Sequence, residues 1–427
     1  MTAKRPWERA IAALALRLDR LEPGLVEAWS GDPEWRREAA SGPRPRASEL
    51  AAAAVELRRE VADAGLPEER TRFLDGELSA LGCAARRLAG LHVGLRTEIR
   101  ETYAVDVAPG DPDRYREAHR ELAALLPGRG GLAERLAAHR RADEVPAPAR
   151  RAAVSALVTA LRDRTTALLD LPADEELTVE FVEGRPWSGF TRHLGGHRSL
   201  ARFSTDAPQR AGQLARLVAH ETYPGHHVEH LRRVAAARTA PERALSLTRS
   251  PRALVVEGAA DLALDAAVGP GWGPWAAEVL AEVGVRTDGA LAERLEEAML
   301  PLQHARLDAA LLVPTAGPDA ALEHLRRWLL LDETRARHVL GFVTDPQWRA
   351  YAVTYVVGYP MVRSWWAGRS PEPVARAQRF RALLDRPLVP PAPGRSTTAD
   401  WADRAAAGWD GTATDGVDHA MSGRPFC

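Results

Sequence analysis

The chain has almost no cysteine. Cys83 and Cys427 are the only two in 427 residues, which excludes a disulfide framework. Cys83 lies in an alanine-rich stretch and reads as a small core residue. Lysine is scarcer still: Lys4 stands alone and arginine carries the basic charge. With so much alanine, that bias reflects the base composition of the gene rather than a function. Neither sign of charge dominates, and a net charge of −1 offers no basic face for nucleic acid. No apolar run approaches the ~20 residues that a membrane span requires. The apolar patch Ala10–Leu16 is closely flanked by Glu8, Arg9, Arg17 and Asp19. That marks an amphipathic helix rather than a signal peptide, so a cytoplasmic location is expected. No fixed-period repeat is present, which argues against a helical solenoid.

What remains is an ordinary globular composition, 45% hydrophobic and 27% charged, on a chain long enough for two or three domains. Residues 1–172 are expected to be helical throughout, with apolar residues at three-and-four spacing in Ser48–Ala64, Glu68–Ala89, Pro112–Leu126 and Pro148–Leu169. Breaks fall at Gly42-Pro43, Gly110-Asp111-Pro112 and Val145-Pro146-Ala147-Pro148. These helices should form one wall of a cleft. Residues 173–388 open differently. Leu177–Val182 alternates and is β-branched, and the glycines Gly184, Gly189, Gly195 and Gly196 divide the residues after it. This reads as two or three short strands with tight turns, His193 and His197 flanking one of them. Helices then run to about residue 367, the last kinked by Pro360. Residues 389–427, rich in Pro, Gly and Asp, read as a loosely ordered tail. The expected fold is mainly α, with a small β-sheet beside the helix that carries the chemistry.

That chemistry centres on His220-Glu221-Thr222-Tyr223-Pro224-Gly225-His226-His227. A helical zinc hydrolase needs histidine nitrogens for the metal and a glutamate beside the first, placed to take a proton from water. The usual His-Glu-x-x-His spacing fails here, because Pro224 stands four residues after His220. In an unbroken helix His226 would point ~120° away from His220, and His227 would lie ~10 Å along the axis. Pro224 and Gly225 favour a kink or bulge. Two residues looped out would bring His226 back to the ligand position, with His227 in reserve. A second element, Pro251–Val268, is an apolar helical run with Glu257 inside it. An ionised carboxylate there needs a cation, which zinc or an arginine could supply. Asp261, one turn on, is placed to orient a ligand histidine. Further along, Tyr351, Tyr355 and Tyr359 recur every four residues, and Arg363 could hold a substrate carboxylate.

These residues resemble the bacterial proteins grouped as domain of unknown function 885. The resemblance rests on His-Glu-x-x-Pro-Gly-His-His from His220, then Glu257-Gly258-Ala259-Ala260, and covers residues from about 176 to about 370. Weaker echoes are Ala201–Thr205, Ala305-Arg306-Leu307 and Tyr355-Val356-Val357-Gly358. It implies a helical, two-lobed protein like the zinc peptidases of the thermolysin and oligopeptidase kind. On that basis His220, His226 and Glu257 would hold one zinc per chain, Glu221 would be the base and Tyr355 the oxyanion donor. The substrate would be a peptide or small amide. The chain departs from the family at Glu229, Ala259, Leu262, Leu264, Ala310 and Pro314, so its substrate pocket is expected to differ. Those departures also keep a second class open, a helical binding protein with a structural or vestigial metal site.

Overall fold

A computed structural model describes residues 6–184, 187–205, 208–367 and 373–390. The tail beyond Pro390, with Cys427, lies outside them. The described chain is mainly helical, with five short strands in two sheets. The strands are β1 (Val26–Trp29), β2 (Glu176–Val182), β3 (Gly189–Gly195), β4 (Arg198–Ser204) and β5 (Leu245–Leu247).

The larger sheet has the order β2-β4-β3, with β2 parallel and β3 antiparallel to β4. Gly195 and Gly196 both take positive φ, 98° and 57°, a conformation that glycine enters without a Cβ clash and that a tight hairpin requires. His193 meets the Gly196 carbonyl (2.9 Å), and His197 meets Asp174 (2.8 Å), so both serve the turn region. The smaller sheet pairs β1 antiparallel with β5. The reading of residues 1–172 as wholly helical is therefore corrected at β1. A strand of four residues carries too little alternation to stand out, and its partner lies far along the chain.

Three apolar cores organise the helices. One joins Ile99, Tyr103, Val154, Leu157 and Leu161 to Val218, Leu254, Leu262, Val353 and Phe380. A second gathers residues 7–85 with Leu245 and Leu247, and a third joins Tyr115 and Leu122 to Leu295, Leu325 and Trp328. The cores cut across the boundary expected near 172: the Arg150–Leu168 helix shares its core with the helices of the motif. The Pro373–Asp385 helix, which no motif marks in the sequence, also closes this core through Phe380, Leu383 and Leu384. Its last carbonyls accept from buried arginines, Leu383 from Arg252 (2.9 Å) and Asp385 from Arg243 (2.8 Å), which satisfies a helix end that would otherwise be stranded.

Candidate metal centre

The first histidine helix, Ala211–Glu221, stops at Glu221, and a second, His226–Ala236, begins after a four-residue link. Sequence spacing suggests a bulge in one helix; the structure shows two helices joined by residues 222–225. Thr222 leaves helical geometry (φ −117°, ψ −98°) and the Tyr223–Pro224 peptide is cis. The Gly225 amide donates to the Ala219 carbonyl (3.0 Å). A Cβ on Gly225 would lie 2.0 Å from the His220 carbonyl oxygen, so only glycine lets the chain fold back this tightly.

That fold-back sets His226 against His220. Their Nε2 atoms are 3.1 Å apart and the rings stand nearly perpendicular at 84°. The Pro251–Ala267 helix brings Glu257 to the same point, its carboxylate 3.7 Å from His220 Nε2 and 3.5 Å from His226 Nε2. Ligand atoms of the three all lie within 4.8 Å of one another. Bonds of about 2.0–2.2 Å to a tetrahedral ion would separate its ligands by roughly 3.3 Å, so two imidazoles and a carboxylate at this spacing fit zinc. The three side chains are partly rather than fully buried (12–15% exposed), leaving one side of the cluster open.

The surroundings favour a cation. Asp261 Oδ1 lies 2.9 Å from His220 Nδ1, which turns the other ring nitrogen toward the cluster. Arg216 steadies that turn of helix by donating to the Asp261 carbonyl (2.7 Å) and to Asp265 (2.9 Å). Burial alone would depress the His220 pKa, but Asp261, Glu221 and Glu257 outweigh it and raise the value to about 10. Three carboxylates around facing imidazoles make a pocket that holds a proton tightly when no larger cation is present.

Glu221 is held from the sheet side. The Thr191 hydroxyl of β3 lies 2.8 Å from both Glu221 Oε2 and the Glu221 carbonyl. A Cβ on Gly189 would stand 2.8 Å from Glu221 Oε1, so the bare backbone of β3 crosses directly over the carboxylate. Within the described residues β3 pairs with β4 alone, so its other edge has no strand partner there. On the opposite side, Gly258 and Gly358 let two helical segments touch backbone to backbone: a Cβ on Gly258 would lie 2.5 Å from the Gly358 carbonyl oxygen. Thr354–Gly358 is a π-turn, the turn before Pro360, whose ring nitrogen cannot donate back along the helix. It carries Tyr355, 38% exposed. Burial raises the Tyr355 pKa well above normal, and Glu257, Asp261 and Glu221 add to this against Arg306. The phenol is thus a neutral donor beside the cluster.

Two sequence expectations are corrected. His227 is not a reserve ligand. One residue on from His226 around its helix, it points away and meets buried Glu175 (2.8 Å), which also accepts from Tyr223 and from the exposed Arg162. Arg363 does not face the cluster; its charge is matched by Glu297 (2.9 Å). His230 is also no partner for a metal shared with His226, since its Nδ1 sits 3.1 Å from Ser199 Oγ in the interior. Thr191, Gly189 and Arg306 are neighbours of the site that sequence reasoning misses. Thr191 leaves a faint trace as the inward residue of an alternating strand. Arg306 stands out only as part of a weak motif; among the described residues it has no ion-pair partner and sits beside Tyr355.

The chain matches no protein-family model and no curated protein. Among solved structures it is similar to one described as the "putative lipoprotein from Colwellia psychrerythraea", at 14% identity and a TM-score of 0.47. The similarity covers 84% of this chain and 66% of that one, just under two thirds of its length. No helix among the described residues is long and apolar enough to cross a membrane.

Proposed function

We propose that the protein is a metal-dependent hydrolase, a zinc peptidase acting on short peptides or small amides. The observation that carries this reading is the meeting of His220, His226 and Glu257 with Glu221 fixed beside them under β3. A purely structural site has no use for an adjacent carboxylate in that position. Membership of the domain of unknown function 885 family, a two-lobed zinc-peptidase-like fold and a cytoplasmic location belong to the same proposal. The motif from His220 to His227 supports the first two.

His220, His226 and Glu257 would hold one ion per chain, with Asp261 fixing the His220 ring. When bound, zinc supplies a Lewis acid that polarises a carbonyl and acidifies water. Glu221 accepts the proton of the attacking water and returns it to the leaving amine. The Thr191 hydroxyl, 2.8 Å from Glu221 Oε2, keeps that carboxylate in one orientation through both transfers. Tyr355, held protonated, donates to the oxygen on which charge develops. The unpaired edge of β3 receives an extended peptide as an added strand.

The test is metal analysis of purified protein paired with cleavage of a mixed peptide library before chelation, after chelation, and after zinc is restored. About one zinc per chain and cleavage that falls and returns with the metal is the expected result. Metal present without cleavage would leave the site a structural one.

A further inference from the structure

The second histidine helix carries a charge that the candidate metal centre does not use. Arg233 follows His226 on that helix by about two turns, and it is only 3% exposed. Its Nε lies 3.5 Å from Glu229 Oε2, longer than a good N–H···O bond. Nε, Nη1 and Nη2 are all closed to solvent and meet no hydrogen-bond acceptor among the described residues. A guanidinium presents its N–H groups in a fixed planar fork, and leaving them buried and unmet is costly.

Two more buried arginines are chained to this one through shared acceptors. Arg252 comes no nearer than 4.0 Å to the other oxygen of Glu229. It donates instead to the carbonyls of Leu383 (2.9 Å) and Leu384 (3.2 Å). Arg243 donates to the same Leu384 carbonyl (3.1 Å) and to that of Asp385 (2.8 Å). Among the described residues, Glu229 is the one carboxylate within 4.0 Å of any of these three guanidiniums. The acids close by are engaged elsewhere: Asp385 with Arg232 (2.6 and 2.5 Å) and Glu242 with Arg70 (2.6 Å). Glu77 accepts from the Arg252 amide (3.4 Å), and burial raises its pKa to about 7, so its charge near neutrality is partial. The carbonyl end of the Pro373–Asp385 helix adds roughly half a negative charge. Positive charge is still in excess. In keeping with this, burial lowers the pKa of Arg252 to about 10 and lowers that of Arg243, and in each a neighbouring arginine lowers it further.

We propose that Arg233 holds a small monovalent anion, a halide such as chloride, against Nη1 and Nη2. The sealing of its nitrogens selects the class of ligand. A peptide carboxylate cannot reach them in the folded chain, whereas a single ion is enclosed as the chain folds. A doubly charged oxyanion would overshoot the excess charge and cost more to desolvate. Water would meet the N–H groups and leave the charge uncompensated. A spherical ion accepts donors from any direction and supplies the missing charge. The site needs no zinc and stands apart from the hydrolase reading. It would fasten the helix that begins with His226 to the Pro373–Asp385 helix, whose last carbonyls hold the other two arginines.

Melting of the full-length protein in chloride, bromide or gluconate at one fixed ionic strength tests this. An ion that binds only the folded chain raises Tm with its concentration, even where the site is sealed, because unfolding opens it. Each tenfold increase of halide in place of gluconate should raise Tm by about 2 °C. Arg233→Met should abolish that dependence. Crystals of the wild-type protein grown in bromide should show an anomalous peak in contact with Arg233 Nη1 and Nη2. Equal Tm in halide and gluconate overturns the proposal, and so does a bromide map without that peak. A halide effect of the same size in Arg233→Met also overturns it, since the ion would then lie elsewhere, the candidate metal centre included. If Arg233→Met does not fold, the wild-type melting series and the bromide map decide the matter by themselves.

Discussion

His226 and His227 are neighbours in sequence and enter opposite environments, each facing a glutamate. His227 meets one carboxylate, Glu175, which also accepts from the Tyr223 hydroxyl (2.7 Å) and from Arg162. Burial would raise the Glu175 pKa, but these three donors lower it to about 2. Both oxygens of Glu175 are met by donors, and its side chain and that of His227 are buried. His226 meets His220 and Glu257, with Asp261 and Glu221 close by. There the imidazole nitrogens face each other, carboxylates outnumber cations, and one side is open. Identical residue types build a scaffold in one case and a candidate site in the other. Stoichiometry and access make the difference.

Removing a ligand should break the comparison most completely. His226→Ala or Glu257→Gln is expected to lose bound zinc entirely by elemental analysis while circular dichroism keeps the helical signal. His227→Leu should keep its zinc. Glu221→Gln comes next: zinc retained, and turnover down about 10²–10⁴-fold. A variant that cleaves like wild type would remove Glu221 from the chemistry. Tyr355→Phe should cost about 10²-fold in kcat with little change in KM, and equal turnover would end its role as oxyanion donor. The smallest effect lies on the closed side. Glu175→Gln should cost about 1–3 kcal/mol of stability at neutral pH, read by chemical denaturation. Because the folded-state pKa of Glu175 is depressed from 4.5 to about 2, its contribution is complete above about pH 4.5. It should fade as pH falls toward 2, and the gap between wild type and variant should close with it. A gap independent of pH would show that the charge of Glu175 is not what holds the loop.

Parts of this arrangement are legible in the sequence for definable reasons. β2, β3 and β4 announce themselves through alternation and paired glycines, signals confined to a few adjacent residues. Pro224 and Gly225 announce a departure from the helix, but a loop-out inside one helix and a complete break into two make the same local marks. Only the packing of Gly225 on the Ala219 and His220 carbonyls separates them. The four-residue spacing of Tyr351, Tyr355 and Tyr359 suggests one face. The π-turn widens the helix there, so Tyr355 borders Glu257 and Arg306 while Tyr359 reaches Asp265 (3.4 Å). The residues beside Glu257 in sequence are apolar, yet its side chain borders open space. Thr191 and Arg306 come near the cluster from distant segments, and nothing in their immediate neighbours records it.

The break between the two histidine helices has a mechanical consequence. His220 sits at the end of one rod, His226 at the start of another and Glu257 midway along a third. No single helix carries two of these ligands, so the geometry offered to an ion is the geometry in which three rods are stacked. Coordination is thereby hostage to distant architecture. A methyl group trimmed from Val218 or Leu254, both sealed in the shared core, would alter the angle between rods and with it the geometry offered to any bound ion. An unbroken helix carrying both histidines would have insulated the metal from such remote wear.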